Sequence, residues 1–135
     1  DLFPPRERML ILMVAVGGAL GAVARYGFSG WVQGFLSTSF PLGTLVVNVL
    51  GSFLLGLSFY LLESSALSAE VRSMVTIGFL GAFTTFSTFS YEAVVLLEGG
   101  EWTRGGVYIG GSLLLGLVGV VGGMSVGAVI LQTRG

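Results

Sequence analysis

GFLGAFTTFSTFSYE, residues 78–92, sets Thr84, Thr85, Ser87, Thr88 and Ser90 among four phenylalanines, with Ser73 and Thr76 just upstream. No charged residue falls between residues 73 and 91. In a soluble loop these hydroxyls would simply be solvated. At membrane depth an unsatisfied polar group is costly, so the cluster implies a protein-lined cavity or an ion site.

The surroundings of this segment decide which setting applies. Of 135 residues, 53% are hydrophobic and only 10% charged, and the mean hydropathy is +0.93. A soluble domain of this size needs more polar surface than that. The chain therefore reads as an all-α integral membrane protein. Its uncharged runs cover residues 9–24, 26–62, 73–91 and 105–133. The second is too long for one crossing and is divided by the turn signal Ser37-Thr38-Ser39-Phe40-Pro41. About 20 apolar residues cross a bilayer as helix. The sequence thus predicts four transmembrane helices near 9–33, 42–62, 72–97 and 105–131, in a single transmembrane domain over residues 1–135.

The loops between these spans are short and leave no room for an extramembrane domain. The first span carries no small-residue cleavage pattern followed by a soluble mature domain, which argues against a removable signal peptide. An even number of spans puts both termini on one side. That side holds Arg6, Arg8, Arg72 and Arg134, against Arg104 and Arg25 on the other. The bias weakly favours cytoplasmic termini and leaves insertion in both orientations open.

Several function classes are excluded by composition. The chain has no cysteine and no histidine, which removes disulfides, thiol chemistry and the usual soft or borderline metal sites. A net charge of −1 offers no basic patch for nucleic acid. With no Lys either, and no carboxylate pair, no acid, base or nucleophile arrangement is in view, so the chain does not read as an enzyme.

Glycine accounts for 23 residues, and its spacing is ordered. Gly17 with Gly21, Gly106 with Gly110, and the series Gly119, Gly123, Gly127 read as seams where helix backbones approach closely. Gly78 and Gly81 stand just before the hydroxyl cluster, and each lowers helix propensity by about 1 kcal/mol relative to Ala. Followed by β-branched Thr84 and Thr85, they mark a place where the third span unwinds and frees backbone groups to coordinate an ion. An intact helix packed tightly at two glycines is the other reading.

Helical spacing puts Phe79, Phe83, Phe86 and Phe89 along one stripe, and Thr85, Thr88 and Glu92 along an adjacent one. A phenylalanine stripe alone is core or lipid-facing filler. Beside hydroxyl donors, the positive edges of the rings form a wall that attracts anions weakly, without a fixed cation. Such a wall suits an ion that must both bind and leave. Asn48, the only asparagine, lies in the second span with Thr44 one turn earlier. Its amide can glue two helices or serve a passing anion. Tyr108 and Ser112 are also a turn apart and extend a polar track. Arg25 either snorkels to the interface or draws anions into a vestibule. Glu92, the one carboxylate near membrane depth, can bond a neighbouring helix or carry protons.

The segments GGALGAVARY at 17–26, Asn48 within GTLVVNVLGSFLLG, and GFLGAFTTFSTFSYE at 78–92 together resemble the Fluc family of fluoride channels. The resemblance extends over nearly the whole chain in length, span count and motif order. It implies an antiparallel, dual-topology homodimer in the cell membrane, formed with a second copy in inverted orientation, with two fluoride pathways and a third helix broken near its middle. It also implies a structural sodium ion at the dimer interface, held by the backbone carbonyls of Gly81 and Thr84. By the same resemblance the pore phenylalanines are Phe86 and Phe89, and the pore asparagine is Asn48. Thr44, Thr85, Thr88, Ser112 and Tyr108 line the track, and Arg25 stands near the aqueous mouth. Ala82 with Phe83 departs from the family, which often has a second glycine and an aliphatic residue there.

Two other classes account for parts of the pattern. A small proton-coupled antiporter also has four spans, but it needs a carboxylate deep in the first, and residues 9–24 contain none. A structural membrane subunit explains the glycines but not the hydroxyls and Asn48.

Overall fold

Proline and glycine punctuate the chain into its helices. In the computed structural model, which describes residues 2–135, α1 (Pro5–Phe35) starts on a proline, whose missing N–H costs nothing in a first turn. Pro41 precedes α2 (Leu42–Glu63). The Ser68 hydroxyl accepts the Val71 N–H at 3.3 Å and caps α3 (Ala69–Ser73). The run continues through a π-helical stretch (Met74–Leu80) and a last turn, α4 (Gly81–Phe83), and resumes as α5 (Phe86–Glu98). Gly100, with φ 78, closes α5: Glu101 N–H bonds the Leu96 carbonyl at 3.0 Å and Gly100 N–H the Leu97 carbonyl at 3.1 Å. The final helix, α6, is Trp102–Arg134.

Four segments, Pro5–Phe35, Leu42–Glu63, Ala69–Glu98 and Trp102–Arg134, are long and apolar enough to cross a membrane. Each contains one of the spans expected from sequence and runs a few residues past it. The chain is an all-helical, multi-pass membrane protein. Its outward faces carry large apolar side chains such as Leu20, Val23, Leu114, Leu117 and Val121, as a lipid-facing surface requires.

The packing is built on glycine. α2 pairs most extensively with α6, and α1 with the π-helical stretch and α4. A Cβ at Gly17 or Gly21 would collide with the Met74 or Phe79 carbonyl, and one at Gly78 would lie 2.6 Å from the Val14 carbonyl. Across the other pair, Gly123 abuts the Phe53 carbonyl and Gly56 the Val120 carbonyl, while Gly119 and Gly127 also face α2. Two of the three expected seams are therefore made within the chain. The third is not: a Cβ at Gly106 or Gly110 would meet nothing within 4 Å, and the buried glycine of that turn is Gly105, against Leu97.

The interruption of the third span falls at Thr84 and Thr85. Both are extended, with φ −90 and ψ 158 at Thr84 and φ −150 and ψ 117 at Thr85. Gly78 and Gly81, which the sequence marks as weak points, stay helical. Gly78 lies in the widened π turns, where its missing side chain admits α1, and the β-branched threonines carry the break itself.

Candidate functional site

The two extended threonines lie against α2, and Asn48 meets them there. Its Oδ1 accepts the Thr85 N–H at 2.7 Å, and its Nδ2 donates to the Thr85 carbonyl at 3.0 Å. One amide thus satisfies both backbone groups of a residue that has left the helix. In a continuous helix the Thr85 N–H would go to Gly81. Because Asn48 takes it, the Gly81 carbonyl keeps only a 3.5 Å contact from the Thr84 hydroxyl, whose better partner is Leu80 O at 3.0 Å. Thr84 and Gly81 open on a groove of about 250 Å³, shared with Asn48, Ser52, Thr76 and Phe86.

Beyond the break, Thr85 caps α5. Its Oγ1 accepts the Thr88 N–H at 3.2 Å and lies 3.1 Å from the Thr88 hydroxyl. Thr88 in turn borders a second basin of about 320 Å³, with Ser29, Gln33, Thr44 and Glu92. There the Thr44 hydroxyl donates to Glu92 Oε1 at 2.5 Å. Thr85 faces the groove and Thr88 the basin, so their touching hydroxyls join the two spaces across the break.

The aromatic wall runs beside this row. Phe89 is buried and Phe86 is 75% exposed, with ring centroids 5.8 Å apart at 48°. Phe89 packs on Tyr108 at 5.3 Å, and Phe40 meets Tyr108 edge-on at 5.5 Å and 82°. Together with Ala93 and Leu96 they form the buried core at this end of the bundle. Tyr108 is fully buried, yet its hydroxyl and that of Ser112 have no hydrogen-bond partner among the described residues.

The structure thus brings Asn48, Thr85, Thr88 and Thr44 into one polar row, with Phe89 and Tyr108 alongside. Phe86 is held apart from the core and faces outward from the chain. Arg25 occupies a different position from a free vestibule cation: its Nε donates to the Ala82 carbonyl at 3.0 Å, which ties α1 to the last turn before the break. A cation there also complements the negative end of that helical segment.

Sequence reasoning passed over Gln33. Its Nε2 donates to the Thr38 and Phe40 carbonyls at 2.8 and 2.9 Å, and its Oε1 accepts the Gly43 N–H at 3.0 Å. Only its polarity near the end of an apolar span hinted at a role. Arg104, at the rim, bonds Glu101 at 2.7 Å and the Ser39 hydroxyl at 3.1 Å.

Comparison with known proteins places the chain among relatives by sequence. Residues 12–124 match the family described as CrcB-like protein, camphor resistance. The chain is 54% identical over 107 residues to a protein of Thermus thermophilus named fluoride-specific ion channel FluC, a match covering 79% of this chain and 84% of the relative. A protein of the same name from Hahella chejuensis is 48% identical over 122 residues, covering 90% of this chain and 96% of that one. FluC 1 of Methanosarcina acetivorans is 61% identical over 89 residues, 65% of this chain and 67% of the relative.

Proposed function

Because this chain belongs to the CrcB-like protein family, we propose that it is a fluoride-selective ion channel that lets fluoride leave the cell passively across the cytoplasmic membrane and so confers fluoride resistance. The observation that carries this is the pair of buried hydroxyls on Tyr108 and Ser112. A buried donor without an acceptor is costly, and an anion is an acceptor. The hydroxyls of Thr85 and Thr88 and the edges of Phe86 and Phe89 supply further weak, uncharged contacts for a dehydrated fluoride, with Asn48 holding the row in shape. Arg25 steadies the turn before the break through its bond to the Ala82 carbonyl. None of these binds so strongly that the ion is trapped.

The channel unit is an antiparallel homodimer of two chains inserted in opposite orientations, with lipid around it. In support, the single chain leaves the groove at Gly81 and Thr84 open, with Phe86 exposed beside it. The arginine asymmetry is weak enough for both orientations. A sodium ion at the centre fits the donor set, since the Gly81 carbonyl has lost its helical donor and hard cations take oxygen ligands. Gly81 and Thr84 of each copy would hold it, and its charge would fasten the two breaks together.

Glu92 favours a second reading, a slow proton-coupled carrier, because a carboxylate bonded to Thr44 sits within the row. Liposomes loaded with potassium fluoride separate the two. With valinomycin to relieve the voltage and no proton gradient, a channel releases fluoride quickly and releases no chloride from chloride-loaded controls. Release that needs a proton gradient would replace the channel by the carrier. Undiminished release from protein stripped of sodium would remove the ion from the scheme.

A further inference from the structure

Gln33 uses both ends of its amide on the 38–43 connection, although it belongs to α1. The three bonds are not equivalent in what they hold. The Gly43 N–H is one of the first-turn donors of α2 that no helical carbonyl can satisfy, and Gln33 Oε1 takes it. Gly43 immediately precedes Thr44, and it is pressed so closely onto Ser29 that a Cβ there would collide with the Ser29 carbonyl. The other two bonds fix the Thr38 and Phe40 carbonyls. The Phe40 ring is the edge-on brace of Tyr108, which stands against Phe89.

We infer that Gln33 is a positioning residue for the ion pathway: it sets the Thr44 hydroxyl on Glu92 and the Phe40 ring on Tyr108 from a single side chain. The inference rests on the channel function proposed above. A side chain that bonds three backbone groups within residues 38–43 restrains them together against α1. Thr44 enters the basin from the first turn of α2, where fewer helical bonds hold the backbone than in the middle. Gln33 supplies what the helix lacks at that point. On the other side of the same connection, the Phe40 carbonyl accepts from the Leu42 N–H at 2.8 Å as well as from Gln33, and the Gln33 bond is the one that ties this turn back to α1. Arg104 also holds this connection from α6, through its bond to the Ser39 hydroxyl and with its guanidinium 5.8 Å from the Phe40 ring centroid, but its bonds go to Ser39 and Glu101 and not to Gly43 or Thr44.

Two substitutions of near-equal size test this. Gln33→Glu keeps an acceptor for Gly43 and loses the amide donors to Thr38 and Phe40; Gln33→Met loses all three bonds. Both are reconstituted beside the unchanged protein and compared in the fluoride-release assay, after gel filtration shows that they elute at its position. Losing two or three ordinary hydrogen bonds corresponds to roughly a tenfold or larger fall in the correctly positioned population, and Gln33→Met is expected to slow release by that factor. Thr44→Val supplies the readout that a merely structural role would not give. In the Thr44→Val background the Gln33→Met loss shrinks to within about twofold of that caused by Gln33→Glu, which breaks only the Thr38 and Phe40 bonds, because the Thr44 arm is already gone. Multiplying losses, or release by both Gln33 variants within about twofold of the unchanged protein, would overturn the inference. So would variants that never elute as the unchanged protein does, because Gln33 would then hold the fold as a whole. Failure of the unchanged protein to release fluoride would instead count against the channel function.

Discussion

Asn48 and Thr85, 37 residues apart in sequence, hold one another by two hydrogen bonds that run in opposite directions. The amide of α2 does for the Thr85 N–H what the Gly81 carbonyl would do in a continuous helix. This makes the interruption of the third span a satisfied structure and not a defect, since every buried backbone group needs a partner in an apolar surrounding.

Asn48→Ala should therefore damage more than a pore lining. It leaves the part-buried Thr85 N–H unpaired, at about 1–3 kcal/mol, while the Thr85 carbonyl keeps its place as acceptor in the first turn of α5. Fluoride release should fall to background, and the midpoint of thermal aggregation in detergent should drop. Asn48→Asp keeps the acceptor for Thr85 N–H and loses the donor to its carbonyl. Release by Asn48→Ala at the unchanged rate would rule this role out.

Phe86 and Phe89 should separate in their effects. Phe89 is 8% exposed and packed on Tyr108, whereas Phe86 is 75% exposed in the single chain. Truncating a buried phenylalanine typically costs about 3 kcal/mol or more. Phe89→Ala should lower both thermal stability and fluoride release. Phe86→Ala should leave the stability of the single chain nearly unchanged and still reduce release. Phe86→Ile and Phe89→Ile preserve bulk while removing the ring edges, so normal fluoride release by both would refute the edge contribution.

Arg25 can be tested by salt. Attraction of anions by an exposed charge fades as ionic strength rises, because the screening length falls from about 10 Å at 0.1 M to about 3 Å at 1 M. A hydrogen bond to the Ala82 carbonyl does not fade in this way. Arg25→Leu should slow release by about tenfold, as expected for a lost charge-assisted bond, at low and high potassium sulfate alike. A deficit that disappears at high salt would return Arg25 to the role of a vestibule attractor.

Glycines of the same spacing should respond differently. Gly21→Ala drives a methyl group into the Phe79 carbonyl and should destabilise the fold by about 1–3 kcal/mol. Gly106→Ala meets open space within the chain and should raise the helicity of α6 slightly without loss of folded protein. Circular dichroism through a thermal ramp reads both. Equal tolerance at the two positions would mean that the close approach of α1 to the third span is not needed.

Much of this was legible in the sequence because it depends on local order. Charge-free length located the four spans, and Gly78, Gly81, Thr84 and Thr85 marked the third as the one that breaks. Glycine periodicity found the seams at Gly17, Gly21 and along α6, but it could not tell that Gly106 and Gly110 face away from every other helix. That distinction depends on the rotation of α6 about its axis, which only its partners determine. The contacts of Arg25 with Ala82 and of Gln33 with three backbone groups were invisible for a related reason. Each joins a side chain to main-chain atoms, and main-chain atoms have no residue identity from which a pairing could be read. Asn48 was recognisable as an unusual residue, but its function as a stand-in for a helical turn emerged only once Thr85 was seen to be extended.

The contact of Gly17, Gly21 and Gly78 between α1 and the third span is backbone against backbone. At Gly21 and Gly78 only main-chain atoms meet, so the close approach there orders no side chain. Nor can neighbouring side chains reorient to absorb a small displacement, as they do in a leucine-packed core. The first half of the third span is thereby anchored like a mortised joint, and the chain departs from helix beyond that joint, at Thr84 and Thr85.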